Sequence, residues 1–446
     1  MAPTARRASP AAGWIRRCAR PEDVLSRPRA PGPTLLAWAL WDCATSPFAA
    51  IVVTFVFPAY FARAVVGDEV LGTRLWGWAL GTSGLAVALA APFLGAIADA
   101  GGRRKPWILG TSLLAGLASA GLWWVRPEPG AAVLALLLVG TANATLELGA
   151  VFYNALLPDL APPGRIGRWS GWSWAIGYGS GLVALVLVLF GLVLPEVPPF
   201  GLDRAAAEPV RLAGPLVAAC LLLFTLPLAL LVPDRPRRRL GVRAVVGVAL
   251  GRLRRLRGLL QEAPSIGRFL LARLLYNDGL NTLFAFGGIY AAGTFGMSVD
   301  QVILFGILLN LTAGFGAWLM GHLDDRIGSR RTILLALGGL LAFGTLALAT
   351  TSVTVLWVAG ALLGLFVGPA QAASRTLMAR LAPPERRAEL FGLYALTGRI
   401  TAFLGPWAVA AVTALAESQR VGMTVILALL AGGLGLLWSV REPARG

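Results

Sequence analysis

Histidine is all but missing from this chain, and cysteine is scarce. His322 is the single imidazole, and Cys18, Cys43 and Cys220 stand far apart. One imidazole makes no Ser/His/Asp, Cys/His or metal constellation arguable. Three scattered thiols give neither zinc spacing nor a disulfide framework. Charge is sparse as well: 14% of residues, where soluble domains carry about 25%. Long strictly alternating stretches are absent, which argues against an outer-membrane barrel. No phosphate loop is present, and "GYGSGL" at 177–182 lacks the strand that a dinucleotide site needs. The expectation is a protein that is not an enzyme, with no cofactor and no metal.

Apolar residues are what the chain has in excess. They make up 57% of it and fall in long blocks. Runs of about 20 such residues cross a bilayer as helices. Twelve spans are expected, at 35–64, 75–97, 107–125, 131–157, 170–194, 212–232, 266–292, 301–320, 332–351, 354–378, 388–414 and 420–440. The fold class is an all-α polytopic membrane protein of two six-helix bundles. Most of the 39 Lys and Arg fall in alternate loops. The positive-inside rule then puts both termini in the cytoplasm, in a multi-pass protein of the cytoplasmic membrane. The net charge of +17 reads as topology plus attraction to an anionic inner leaflet, not as nucleic-acid binding. Residues 1–34 and 441–446 read as cytoplasmic tails, the first without the apolar core of a cleaved signal.

The chain repeats itself. "GAIADAGGRRK" at 95–105 matches "GHLDDRIGSRR" at 321–331, and "LAPPGR" at 160–165 matches "LAPPER" at 381–386. Asp42, Ser46, Phe48 and Ala49 match Asp278, Thr282, Phe284 and Ala285 at the same internal spacing. Three ordered pairs at similar offset mark two homologous bundles, 35–232 and 266–440. Between them, 233–265 holds an amphipathic basic helix with Val245, Val246 and Ala249 on its apolar face, expected on the inner membrane surface.

Two parallel six-helix halves resemble the major facilitator superfamily. The 95–105 and 321–331 segments resemble its loop signature, Gly-x-x-x-Asp-(Arg)-x-Gly-(Arg/Lys)-(Arg/Lys). That resemblance implies a gate latch formed by Gly95, Asp99, Arg103, Arg104, Gly321, Asp325, Arg326 and Arg330. Ala100 stands where Arg326 stands in the second copy, so an Arg latch is not expected in the first. "WALWDCATSPFAAIVVTFVFPAYF", "YNDGLNTLFAFGGIYAAG" and "FGLYALTGR" resemble the vacuole-effluxer-like family more narrowly. Fungal members of that family export amino acids from the vacuole, so the resemblance implies amino acid transport. The family's Tyr-Asp-Trp-Ala-Asn-Ser reads Trp41, Asp42, Cys43, Ala44, Thr45, Ser46 here, and its Asn is lost.

Polar residues inside the spans point to a pathway. Asp42 and Ser46 lie in the first span, Glu147 and Asn154 in the fourth, and Asp278 and Asn281 in the seventh. Gln371 and Arg375 lie in the tenth, and Arg399 in the eleventh. Spans 1, 4, 7 and 10 line the cavity where inverted repeats meet. Charges at bilayer depth are costly and mark pathways or locks. Three acids and two Arg suggest pairing with one carboxylate left over. Arg375 or Arg399 is expected to hold a substrate carboxylate, and one acid to respond to protons. The reading is a monomeric secondary transporter, proton-coupled, moving a small polar solute by rocker-switch alternating access. Competing readings are a hydrophobic-compound exporter of the same fold and a non-transporting scaffold.

Overall fold

The computed structural model describes residues 32–236, 242–254, 258 and 261–442. The first tail up to residue 31, the end of the second from 443, and parts of the 233–265 linker lie outside them. Every regular element among the described residues is helical. The amino-terminal half holds α1 (Gly32–Val66), α2 (Glu69–Gly101), α3 (Lys105–Gly121), α4 (Ala132–Leu160), α5 (Ile166–Val188) and α6 (Glu208–Leu231). The linker contributes α7 (Val242–Arg254). The carboxy-terminal half holds α8 (Pro264–Phe295), α9 (Val299–Ile327), α10 (Ser329–Ala349) and α11 (Val353–Leu381). It continues with α12 (Arg387–Thr397), α13 (Leu404–Ala416) and α14 (Gln419–Trp438).

Ten helices among the described residues are long and apolar enough to cross a membrane. The expected seventh and eleventh spans fall short of that mark, each for a reason. α8 is 32 residues long but carries Arg268, Arg273 and Asp278. The eleventh breaks into α12 and α13, joined by turns through Gly398–Phe403. α1 is also irregular, with π-helical turns at Phe48–Phe55 and Phe61–Val66. Non-helical backbone at membrane depth persists only where protein or a wet cavity satisfies it.

Glycines let the helices close. Gly360, Gly364 and Gly368 press α11 onto Phe305, Thr312 and Ala313 of α9. Gly177 and Gly181 seat α5 on Ser46 of α1. A Cβ at any of these would meet atoms at 3.3 Å or less. α7 lies along α2, with Ala249 buried and Arg243 exposed, so its inner face is held by protein.

The halves meet through α5 against α9 and α11, and through α12 against α2 and α4. One apolar core runs through both halves and takes in Phe152, Tyr153, Phe269, Leu377 and Phe391. A second core belongs to the amino-terminal half alone and holds Phe48, Phe57, Val139 and Leu221. The halves therefore share a core at the end bearing the basic loops, while at the opposite end the amino-terminal half packs by itself.

Candidate functional site

Asp42 sits where an aromatic stack puts it. Tyr153 lies between Trp38 and Trp41, with ring centroids 4.5 Å away on each side. Trp38 Nε1 donates to the Tyr153 carbonyl at 3.1 Å, and Trp41 Nε1 to Ser112 Oγ at 3.0 Å. The Tyr153 hydroxyl so fixed donates to Asp42 Oδ2 at 3.0 Å. The same oxygen accepts from Arg375 at 3.1 Å.

Arg375 comes from the other half, on α11, and is 2% exposed. Its Nε donates to Ser170 Oγ at 2.9 Å. One terminal nitrogen reaches the Ser170 carbonyl at 2.6 Å and Ser173 Oγ at 2.5 Å. The other reaches Asp42 and, at 3.4 Å, Asn154 Oδ1. The guanidinium also lies 5.2 Å from the Trp38 ring centre and 5.8 Å from those of Tyr153 and Trp174. All these partners belong to α1, α4 and α5. Arg375 is thus saturated by the amino-terminal half and holds no free edge for a substrate carboxylate in this state. Ser46, predicted beside it, gives its hydroxyl to the Asp42 carbonyl at 2.8 Å.

Glu147 and Arg399 form a second ion pair between the halves. Their side chains are 32% and 34% exposed, so this pair is wetter than the first. Arg399 stands in the turns that break the eleventh span.

Asp278 is the acid without a guanidinium. It is 3% exposed, its Oδ2 accepts from the Gly405 amide at 3.0 Å, and its Oδ1 has no partner. Gly405 lies at the start of α13, so Asp278 holds a helix N-terminus, where the macrodipole favours an anion. At the other side of the break, Arg273 donates to the Tyr394 carbonyl at 2.6 Å and Thr397 Oγ1 at 2.8 Å. Its guanidinium lies 3.5 Å from the Tyr394 ring centre. A cation therefore ties the carboxyl end of α12 and an anion the amino end of α13, both from α8. The expected count of two intramembrane Arg missed Arg273, whose main partners are a carbonyl, a hydroxyl and an aromatic ring. The side chains of Asn281 and Gln371 are half-buried and make no hydrogen bond among the described residues.

The gate segments behave as two related latches. Asp99 accepts from the Glu389 amide at 3.0 Å, at the start of α12. Asp325 accepts from the amides of Gly167 and Arg168 at 2.8 and 2.9 Å, at the start of α5. Gly95 lies against Ala388, and Gly321 against Gly167. In the first copy, where Ala100 replaces the Arg, buried Arg104 holds Asp99 at 2.6 Å and Asp159 at 3.0 Å, so it braces the latching carboxylate from within its own half. Arg103 reaches Asp234 at 3.3 Å, Arg330 binds the Trp438 carbonyl, and Arg326 is exposed.

Asp159 was not among the predicted residues. It joins Arg104, Arg235 of the linker and Arg387 of the opposite half. Its repeat partner is Arg380, which holds Asp324 at 3.1 Å and Glu442 at 2.7 Å. The "LAPP" repeat carried that signal: the residue before it is acidic in one copy and basic in the other. Trp169, Trp172 and Trp174, which the sequence suggests as membrane-interface anchors, pack on protein instead, Trp169 against Trp172 with ring centroids 5.3 Å apart. Trp174 faces Arg375, and Trp172 packs on His322 with ring centroids 5.9 Å apart.

Comparison with known proteins agrees with this architecture. The family described as vacuole effluxer Atg22 like matches residues 78–444. The uncharacterized MFS-type transporter YxiO of Bacillus subtilis is 26% identical over 91% of this chain and 94% of its own. Autophagy-related protein 22 of Cryptococcus neoformans is 28% identical over 59% of this chain, which spans about half (50%) of that fungal relative. Among solved structures, the major facilitator transporter FucP in its outward conformation superposes with TM-score 0.73 at 14% identity, covering 93% of this chain and 99% of that one. A bacterial homologue of the iron transporter ferroportin gives 0.67 at 16% identity, over 92% and 99%. The fold is the major facilitator fold.

Proposed function

This chain belongs to the vacuole effluxer Atg22 like family of membrane transporters, and from that premise we propose that it carries a small polar solute, an amino acid, by proton-coupled alternating access. The observation that carries the reading is that two intramembrane ion pairs, Asp42–Arg375 and Glu147–Arg399, cross between the halves. Pairs within one half would only stiffen it. Pairs across the seam break and re-form as the halves rock. With the basic end in the cytoplasm, the state described is closed toward the cytoplasm. Opening that end parts α5 from α9 and α12 from α2, and releases Arg375.

Asp278 supplies the coupling. Its Oδ1 is buried without a donor, and with no guanidinium beside it the Gly405 amide and the start of α13 offset only part of the cost of a carboxylate at bilayer depth. A proton removes that cost, and hydration during rocking restores the charge. Arg399, a third exposed, is the guanidinium positioned for a solute carboxylate, a role that Arg375 does not fill in this state.

The test is counterflow of radiolabelled amino acids in proteoliposomes holding the full chain, with and without an inside-alkaline pH gradient. Exchange above empty liposomes, quickened by the gradient, is expected. Absence of exchange with every neutral and basic amino acid discards the substrate class and brings the hydrophobic-compound exporter forward.

A further inference from the structure

The surroundings of Arg375 have a chemistry of their own. Every group that the amino-terminal half turns toward this guanidinium is an acceptor or an aromatic face. The acceptors are the Asp42 carboxylate, Asn154 Oδ1, the Ser170 carbonyl, and the hydroxyls of Ser170 and Ser173. Rings of Trp38, Tyr153 and Trp174 enclose it. Such a set recognises a cation with several N–H donors. It is also held from within its own half. Trp38 and Trp41 fix Tyr153, which fixes Asp42, and Ser173 Oγ donates to the Ser170 carbonyl at 3.2 Å. Only the Ser170 hydroxyl is also held from α11, donating to the Ala372 carbonyl at 2.7 Å, and none of the scaffold is held by Arg375 alone. The receptor therefore does not depend on Arg375 for its shape.

The repeat sharpens the point. At the offset of the "LAPP" pair, Arg375 is the counterpart of Asn154. The amino-terminal half thus has an acid and acceptors with no cation of its own, and the carboxy-terminal half lends one across the seam.

We propose that this receptor is a binding site for an ammonium or guanidinium group, which Arg375 fills only while the basic end is closed. When the halves part there, the guanidinium leaves with α11, and the cationic end of the solute takes its place. Arg375 and the solute then compete for the same acceptors. Binding the solute keeps the basic end open, and releasing it lets Arg375 close the seam. The proposal rests on the alternating-access reading above, but its tests need no flux.

The first test titrates methylguanidinium, and separately ethylammonium, into purified full-length Arg375→Ala, following the thermal unfolding midpoint at constant ionic strength. A saturable rise is expected in this variant. In wild type, where Arg375 competes for the site, the rise should be smaller and need more ligand, and it should be lost in Arg375→Ala with Asp42→Asn. No saturable rise, or a rise that survives Asp42→Asn, overturns the proposal. If Arg375→Ala does not fold, the second test uses Arg375 intact. Spin labels at the exposed positions 165 and 331 report the separation of the halves at the basic end. Ethylammonium should move the distances toward the parted state, and Asp42→Asn should abolish that response. Distances indifferent to ethylammonium, or a response unchanged by Asp42→Asn, overturn it as well. A chain that carried no amino acid would still pass or fail both tests, so the two readings fall separately.

Discussion

The seam between α5 and α9 is close enough for one methyl group to decide which state the protein adopts. A Cβ added at Gly171 would stand 2.2 Å from the Ala317 carbonyl oxygen and 3.0 Å from the Gly321 Cα. Ordinary contact begins near 3.4 Å, so in Gly171→Ala the halves must part by about 1 Å. Overpacking of this kind costs about 1–3 kcal/mol. Because Ala317 and Gly321 belong to the opposite half, only the closed state bears the cost. The ratio of closed to open molecules should fall by about 5- to 150-fold. Gly368→Ala is the control. Its Cβ would lie 2.0 Å from the Ala313 carbonyl oxygen, but within the carboxy-terminal half. It should lower stability in both states and leave their ratio alone. Spin-label distances between positions 165 and 331 would read the populations, beside the thermal midpoint. Equal distances for wild type and Gly171→Ala, or a shift for Gly368→Ala matching that of Gly171→Ala, would refute the seam argument.

Two more substitutions separate locks from pathway. Arg273→Met should lower stability by about 1–3 kcal/mol, because the charge-assisted bonds to the Tyr394 carbonyl and Thr397 Oγ1 are lost and the carbonyl keeps only Thr397 as donor; denaturation of the purified variant would measure it. Glu147→Gln should leave the thermal midpoint nearly unchanged, since an ion pair a third exposed contributes under about 1 kcal/mol, while substrate exchange in proteoliposomes should fall steeply.

The parts of this fold legible in the sequence are those that rest on composition and repetition. Apolar runs gave the helices, and the paired "LAPP" and Gly-x-x-x-Asp segments gave two halves. The broken eleventh span escaped notice because Gly398–Phe403 is apolar apart from Arg399 and Thr401 and reads as continuous helix. Its stop is set from outside, by Arg273 and Asp278 on α8. The repeat also gave Asp42 and Asp278 as equivalents, yet their surroundings differ. Asp42 receives Arg375 from the other half, and Asp278 caps a helix in its own. Which acid receives which guanidinium depends on how the halves dock, and spacing along the chain carries none of that. Asp159 and Arg380 were passed over because each stands at a helix end, where a charge needs no special explanation.

In the proposed cycle Asp278 couples proton movement to the solute while the ion pairs across the seam govern rocking. Asp278→Asn keeps the acceptor for the Gly405 amide and removes the charge. The measurement is amino acid accumulation driven by a pH gradient, set beside exchange at equal pH on the two sides. Asp278→Asn should exchange the amino acid as wild type does and no longer accumulate it against a gradient. Accumulation at the wild-type level in Asp278→Asn would contradict that coupling.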